Sequence, residues 1–465
     1  MSLFGSIYLG TSGVKTQSQG MRITADNLSN LNTTGFKGGR GLFEEVFLEV
    51  TGEVFPSRRG LGSRVKDIDI DFSPGTLVTT DIPTDLAILG RGFFVVKDLA
   101  GEETFFTRDG QFLLEDTGND KLRMVTPLGY SLLGAEPGAK PNGLEDFSPI
   151  EIDRAISGKA TETIRLELNL DARKATETQS VALYESWDAT NPEGPISPHA
   201  YEFVTSVKVY DPTGVEHTLN LYFDTTDQNN QYEVLVTLAD PAEDWRGSGP
   251  YAGALLWGTL DFGAAGEVVG AEFFTIDDVN TGTQTPIDLT ATGRPQFTLN
   301  FTGTPQTVTL DLGFYFDENG SLVRMPQSVH LYGAPFAVYQ QDQDGYPPGI
   351  FDRVEIDAEG LVRAYYTNQQ TEEVARIFLA DFTGLEDSLV RAGGNLFRAV
   401  PEATPQFFAP GRSERGILKS GALEGSNVDL AEEMVGLITL QRAFQSNARV
   451  ITTADQMLED FLRAR

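Results

Sequence analysis

Two rows of apolar residues at opposite ends of the chain constrain its fold more than anything between them. Leu430, Leu437, Phe444, Ile451 and Leu458 recur every seven residues near the C-terminus. Ile7, Val14, Met21 and Leu28 do the same near the N-terminus. A seven-residue apolar repeat is the stripe of a long helix lying along another helix. All 23 prolines fall between about residue 33 and residue 425, so both ends lack the residue that most disrupts a helix. The pattern predicts terminal helices over 1–32 and 427–465 that pair as a coiled coil.

The two helices are unequal. The C-terminal one carries a start signal: Ser426 precedes Asp429 by three, and Asp429 precedes Glu432 by three, giving two overlapping capping registers. Met434, Ala448 and Leu462, four residues after members of the main row, widen its stripe. The N-terminal segment holds Gly5, Gly10, Gly13 and Gly20, each costing up to about 1 kcal/mol of helix propensity relative to Ala. Such a helix is marginal alone and orders against a partner. Periodicity leaves open whether that partner is the chain's own other end, closing a hairpin, or another subunit.

The middle reads as β-structure. Ile164, Leu166, Leu168 and Leu170 alternate with Arg165, Glu167, Asn169 and Asp171. Val207 and Val209 lead through Asp211-Pro212-Thr213-Gly214 to Leu219, Leu221 and Phe223, a hairpin with turn residues at its bend. Tyr232, Val234, Val236 and Leu238 form the next strand. Val308, Leu310, Leu312, Phe314 and Phe316 read as another. Strands at this spacing without helical intervals indicate sandwich or barrel domains. Glycine- and proline-rich passages near 135–160 and 325–350 suggest one β domain inserted into another. The predicted class is mainly β and multidomain, with nested sandwich or barrel domains and paired terminal helices.

Composition excludes several functions. A net charge of −32 disfavours nucleic acid, whose phosphates need clustered Lys and Arg. It also predicts mutual repulsion between copies, so salt should promote any self-assembly. No run approaches the roughly 18–20 apolar residues of a membrane helix, and no cleaved secretory signal is expected at the N-terminus. With no cysteine, disulfides, thiolate metal sites and cysteine nucleophiles are excluded. Asp67-Ile68-Asp69-Ile70-Asp71 lacks the Gly and Glu of a calcium loop, and Asp342-Gln343-Asp344-Gly345 reads as a turn. His199, His217 and His330 are scattered. Gly35-Phe36-Lys37-Gly38-Gly39-Arg40-Gly41 lacks the spacing of a phosphate loop and reads as a flexible connector. No catalytic, metal or cofactor-binding residue is assigned, and no enzyme activity is expected.

The ends also carry a paired signature. Ala25-Asp26-Asn27-Leu28-Ser29-Asn30-Leu31-Asn32-Thr33-Thr34-Gly35-Phe36-Lys37 stands at one end. Ser426-Asn427-Val428-Asp429-Leu430 and then Gln441-Arg442-Ala443-Phe444-Gln445-Ser446-Asn447 stand at the other. Together they resemble the terminal motifs of the axial proteins of the bacterial flagellum, the rod and hook family. Gly90-Arg91-Gly92-Phe93-Phe94-Val95-Val96, Phe106-Thr107-Arg108-Asp109-Gly110 and Asp344-Gly345-Tyr346-Pro347-Pro348-Gly349 are similar to internal segments of that family. The large middle fits its hook-type members, since rod-type members are much shorter.

The resemblance implies a structural subunit that polymerises into a curved hollow tube, a flexible universal joint between rod and filament. It implies a terminal coiled-coil domain (1–32 and 427–465), an extended connector region (33–70 and 405–426), an inner β domain (71–160 and 326–404) and an outer β domain (161–325) inserted in the inner one. Ile7, Val14, Met21 and Leu28 would pack with Leu430, Leu437, Phe444, Ile451 and Leu458, within or between subunits. Asn27, Asn30 and Asn32 would end the first helix, Gly35 and Phe36 would set the exit of the chain, and Ser426, Asn427 and Asp429 would start the last helix. Expected partners are further copies of the chain in a helical homopolymer, the distal rod, hook cap and hook–filament junction proteins, and the type III export apparatus. No cofactor, nucleic acid or membrane insertion is implied, and the place is extracellular, in the hook, after export without signal cleavage. Alternatives are a distal-rod-type protein with an extra domain, or a secreted β-rich adhesin using the aromatics near Trp245 and Trp257. No role is assigned to 239–302.

Overall fold

The computed structural model describes residues 3–50, 57–98, 103–174, 181–317, 319–411 and 416–463. The chain divides into two compact units: Met1–Arg154 with Phe351–Tyr366 and Gln370–Arg465, and Ala155–Ile350 with Thr367–Gln369. The second is inserted in the first. Its limits are wider than the expected 161–325, because the short strand Ala155–Ile156 pairs with Gly349 and Ile350 and closes the insertion at its own base.

The first unit opens and closes with helices. Leu3–Ser29 and Leu430–Arg463 are both α-helical. They pack antiparallel: the Gly10 end of one lies by Ile451 of the other, and the Asn27 end by Glu433. The N-terminal helix is followed by the long antiparallel pair Gly39–Val50 and Ser57–Ile70, with register shifts at Leu42/Phe43 and Glu45/Phe47, so much of the expected connector is a bulged β ribbon. Its main sheet has nine strands. Phe93, Val95, Phe106, Phe382 and Phe397 are buried on it, with Phe106 and Phe382 edge-on at 4.9 Å. Two short pairings draw the late chain onto the early chain. Ala422–Glu424 pairs with Leu77–Thr79, and Ile417–Ser420 with Leu86–Leu89.

The second unit is a sandwich. One sheet is a six-stranded antiparallel meander from Phe203–Tyr210 to Gln284–Pro286. It includes Ala254–Phe262 and Val268–Ile276, so much of the segment 239–302 extends this sheet, while its Gln296–Leu299 pairs with Gln306–Asp311 in the other. The other sheet is built around Thr163–Asp171, whose Ile164, Leu166, Leu168 and Leu170 are fully buried. These four share a core with Val207, Leu221 and Val234 of the meander. Alternation alone could not show that Thr163–Asp171 runs parallel to Gln306–Asp311 and to His330–Tyr332. The strand expected over 308–316 breaks at Gly313, where φ is +81° and a Cβ would stand 2.0 Å from the Gln327 carbonyl oxygen. Among the described residues no helix is long and apolar enough to cross a membrane.

Candidate assembly interface

The helix pair meets through small residues. A Cβ on Gly10 would lie 2.8 Å from Ile451 Cγ1, one on Gly13 2.6 Å from the Asn447 amide, and one on Gly20 3.1 Å from Leu440 Cδ2. Each glycine is a notch that receives a side chain of the partner helix. What the sequence reads as weakness in the N-terminal helix is what lets the backbones approach. Val14 and Met21 follow Gly13 and Gly20 by one residue and so stand about 100° round the axis. Ile7, Val14, Met21 and Leu28 are half-buried and stand within about 60° of Gly10 round the helix axis. The opposite flank meets the β ribbon, where Ser12 and Thr16 hydroxyls donate to the Ser63 carbonyl at 2.8 and 2.6 Å.

On the C-terminal helix Leu437, Phe444, Ile451 and Leu458 are half-buried, whereas Leu430 is 49% exposed. The second inward row comes three residues after the first, through Leu440, Asn447 and the buried Ala454, and not four. Met434 and Leu462 face solvent, and Ala448 is half-buried. A three-four alternation keeps the stripe on one face, which the narrower count of fours did not. Gly13, Gly20 and Asn27 are themselves seven apart, a heptad of small residues that the sequence held in view.

The signature residues hold the base of this pair. Asp429 caps the last helix, accepting from the Ala431 and Glu432 amides at 2.7 and 3.2 Å. Of the two capping registers, the second is therefore the one formed. Ser426 Oγ accepts from the Val428 amide at 3.3 Å. Asn427 reaches instead to the early chain, accepting from the Gly38 amide (2.7 Å) and donating to the Asp71 carbonyl (2.8 Å).

Asn27 does not end the first helix, which runs to Ser29. It is buried, exchanges hydrogen bonds with both backbone groups of Gly39 (2.9 and 2.8 Å), and donates to Glu433 at 2.7 Å. Asn30 follows the helix end and donates back to the Asp26 carbonyl at 2.9 Å. Asn32 is exposed.

Gly35 to Gly41 is not a flexible connector. Gly35, Phe36, Lys37 and Gly39 are buried. Gly35 has φ +68°, donates to the Glu424 carbonyl at 2.7 Å, and would drive a Cβ to 2.5 Å from the Asp109 amide nitrogen. Only glycine fits that backbone. Phe36 is covered by the Arg391 guanidinium, 5.0 Å from the ring centre. Arg391 also pairs with Asp26 at 3.3 Å and donates to the Lys37 carbonyl.

Beneath this turn lies a charge cluster that sequence reasoning missed. Glu424 takes Lys37 Nζ at 2.6 Å, Arg108 Nη1 at 3.1 Å and the Gly75 amide at 2.9 Å. Lys37 also donates to the Ser73 carbonyl at 2.7 Å. Burial lowers the Lys37 ammonium's pKa below its ordinary value, against the opposing pull of Glu424. Partners so far apart in sequence leave no local signal.

This arrangement can hold and orient chain ends. Among the described residues no group of three or more His, Asp or Glu is placed to hold a metal.

Comparisons with known proteins point one way. Residues 7–37 match the family described as flagella basal body rod protein, and 419–464 the flagellar basal body rod FlgEFG protein C-terminal family. Residues 87–167 match the flagellar hook protein FlgE/F/G D1 domain and 169–346 the flagellar basal body protein FlaE D2 domain. The flagellar hook protein FlgE of Treponema pallidum is 28% identical, with 98% of each chain covered. That of Escherichia coli is 29% identical, again with 98% of each covered. A crystal structure of the Helicobacter pylori flagellar hook protein FlgE2 aligns with a TM-score of 0.43 at 14% identity, covering 74% of this chain and 99% of that one.

Proposed function

The chain belongs to the flagellar hook protein family and is a structural subunit of the hook, and from that premise we propose how it assembles. Copies stack into a helical homopolymer, a curved hollow tube, through the terminal helix pair. The β units build the wall of the tube. Ile7, Val14, Met21 and Leu28, with Leu430 and the outward residues of the last helix, face neighbouring subunits. Leu437, Phe444, Ile451 and Leu458 line the seam within each subunit.

One observation supports this reading above others. The two helices meet through glycine notches, yet the apolar row of one is only half-buried and several apolar side chains of the other are exposed. A hairpin that merely closed a monomer would bury those rows. Distal rod, hook cap and hook–filament junction proteins are the expected neighbours at the tube ends. Delivery by the type III export apparatus suits a glycine-rich first helix, which is easily threaded unfolded.

The test is deletion of the chain from its source cell, followed by electron microscopy of purified basal bodies. Bodies that end at a bare rod, without hook or filament, are expected. Intact hooks would overturn the reading, and a truncated rod would move the chain to the rod.

A further inference from the structure

The β part of the first unit holds a cavity of about 530 Å³, to which the terminal helices contribute no lining residue. Its lining is strongly aromatic. Phe378 and Phe408 are buried there and Phe407 is half-buried. Phe147 holds two of these rings in place, with centroids 4.7 Å from Phe407 and 6.0 Å from Phe378. Two loop segments, 138–142 and 409–411, complete the lining. A volume of this size is that of a site for a small molecule.

Arg376 also lines the cavity. Its backbone is fixed: its amide donates to the Ala135 carbonyl at 2.8 Å, and its carbonyl accepts from the Ala135 amide at 2.9 Å. Its Nε is buried and has no hydrogen-bond partner among the described residues. Arg108 and Arg294 also bury an unbonded Nε, but each guanidinium lies against a carboxylate, Glu424 at 3.1 Å and Asp311 at 3.3 Å. Arg376 has no carboxylate at that range among the described residues. A charged donor withdrawn from water without an acceptor is costly, so a ligand that supplies the acceptor gains what the folded chain leaves unmet. The other charged groups of the lining are Lys140 and Glu359, both exposed. Two cations thus stand against one carboxylate, in a chain whose net charge is −32.

We propose that this cavity binds a small aromatic carboxylate, its ring on Phe378, Phe407 and Phe408 and its carboxylate on Arg376. The phenylalanines select an aryl group, which packs edge-on or offset against their rings. The guanidinium offers a planar fork of donors that matches the two oxygens of a carboxylate. Lys140 adds a second positive charge on a flexible stem. Glu359 is the single opposing charge, and solvent screens it. A neutral aromatic leaves Arg376 without its acceptor, and an aromatic cation meets two like charges.

The experiment titrates the full chain with 2-naphthoate in a calorimeter. Naphthalene-2-methanol serves as the neutral isostere and acetate as the charge without the ring. One 2-naphthoate per chain is expected, with a dissociation constant on the order of 0.1 mM. The alcohol should bind about tenfold more weakly or worse, and acetate should give no measurable heat. Arg376→Met should weaken 2-naphthoate about tenfold or more. The melting temperature of the free variant should be unchanged or higher, because the charge removed has no partner in the folded chain. Should Arg376→Met unfold the chain, Lys140→Gln decides instead, with about a twofold loss of affinity expected at an exposed charge. Failure of 2-naphthoate to bind overturns the proposal. So does an alcohol that binds as tightly as the acid, or an Arg376→Met chain that binds 2-naphthoate as the wild type does. Unchanged affinity in Lys140→Gln overturns it where that variant has to decide.

Discussion

Lys37 and Glu424 are 387 residues apart and form an ion pair at 2.6 Å with both side chains almost wholly shielded from solvent. Arg108 completes the cluster. One carboxylate thus ties the segment after the first helix to the strand before the last. Removing it leaves two buried cations without their anion. Glu424→Gln should cost about 3–5 kcal/mol of stability. Lys37→Met combined with Glu424→Gln should cost less than the sum of the single changes, because the orphaned charge goes with its partner. Chemical denaturation of the full chain reads both, and a loss under about 1 kcal/mol for Glu424→Gln would remove the structural role assigned to the cluster.

The glycine seam makes a prediction that runs against helix propensity. Exchanging Gly for a good helix former ordinarily stabilises a helix by up to about 1 kcal/mol. At Gly10 the new side chain would enter the space held by Ile451. Gly10→Leu should therefore splay the helices and prevent polymerisation, and Ile451→Ala should restore part of it. Circular dichroism and sedimentation decide the matter. A Gly10→Leu chain with unimpaired polymer would show that the seam has room the geometry denies.

The inward row of the last helix is tested by charge. Leu437→Asp or Phe444→Asp places a carboxylate against the first helix, where burial penalises it. Polymer should be lost while residues 70–405 keep their fold, read as an unchanged β-type circular dichroism spectrum. Tubes formed by either variant would show that the row lies outside the assembly seam.

Gly35 sits at φ +68° with the Arg108–Asp109 backbone against it. Gly35→Ala meets both the torsional cost and a backbone clash that no rotamer relieves. A loss of about 2–4 kcal/mol is expected. A flexible connector would tolerate the change within experimental error, so the melting temperature of this one variant separates the two descriptions.

Acid sensitivity of the second unit should pass through Asp244. Burial by itself would raise its pKa. Hydrogen bonds from Arg246 and from the Gly253 amide, with the guanidinium's charge, outweigh burial and hold the carboxyl below its ordinary value of 3.8. The unfolded chain then binds more protons in the window below that value. The stabilisation is complete above pH 4 or so and is lost as pH falls through the depressed folded value. Asp244→Asn should cost about 3 kcal/mol at neutral pH and should flatten the fall in stability between pH 5 and pH 2. Parallel acid limbs for the two proteins would exclude Asp244 as the source.

Local sequence patterns were enough to place the terminal helices and most of the strands, and to narrow the cap of the last helix to Ser426 or Asp429. Leu437, Phe444 and Ile451 at seven-residue spacing, Ile164 to Leu170 in strict alternation, and Asp429 before an acidic first turn are all local patterns. Helix and strand periods are written within a few residues of chain, so they survive without knowledge of the partner. What each pattern meets was settled by the packing of distant segments. The glycines of the first helix could not be read as notches until Ile451, Asn447 and Leu440 stood opposite them. Asn27 looked like a helix end until Gly39 and Glu433 engaged its amide. Lys37 lay in an apparently loose glycine run until Glu424 closed on it from the far end. A buried ion pair or a close backbone approach is a property of two segments at once, and nothing in either segment alone fixes the distance between them.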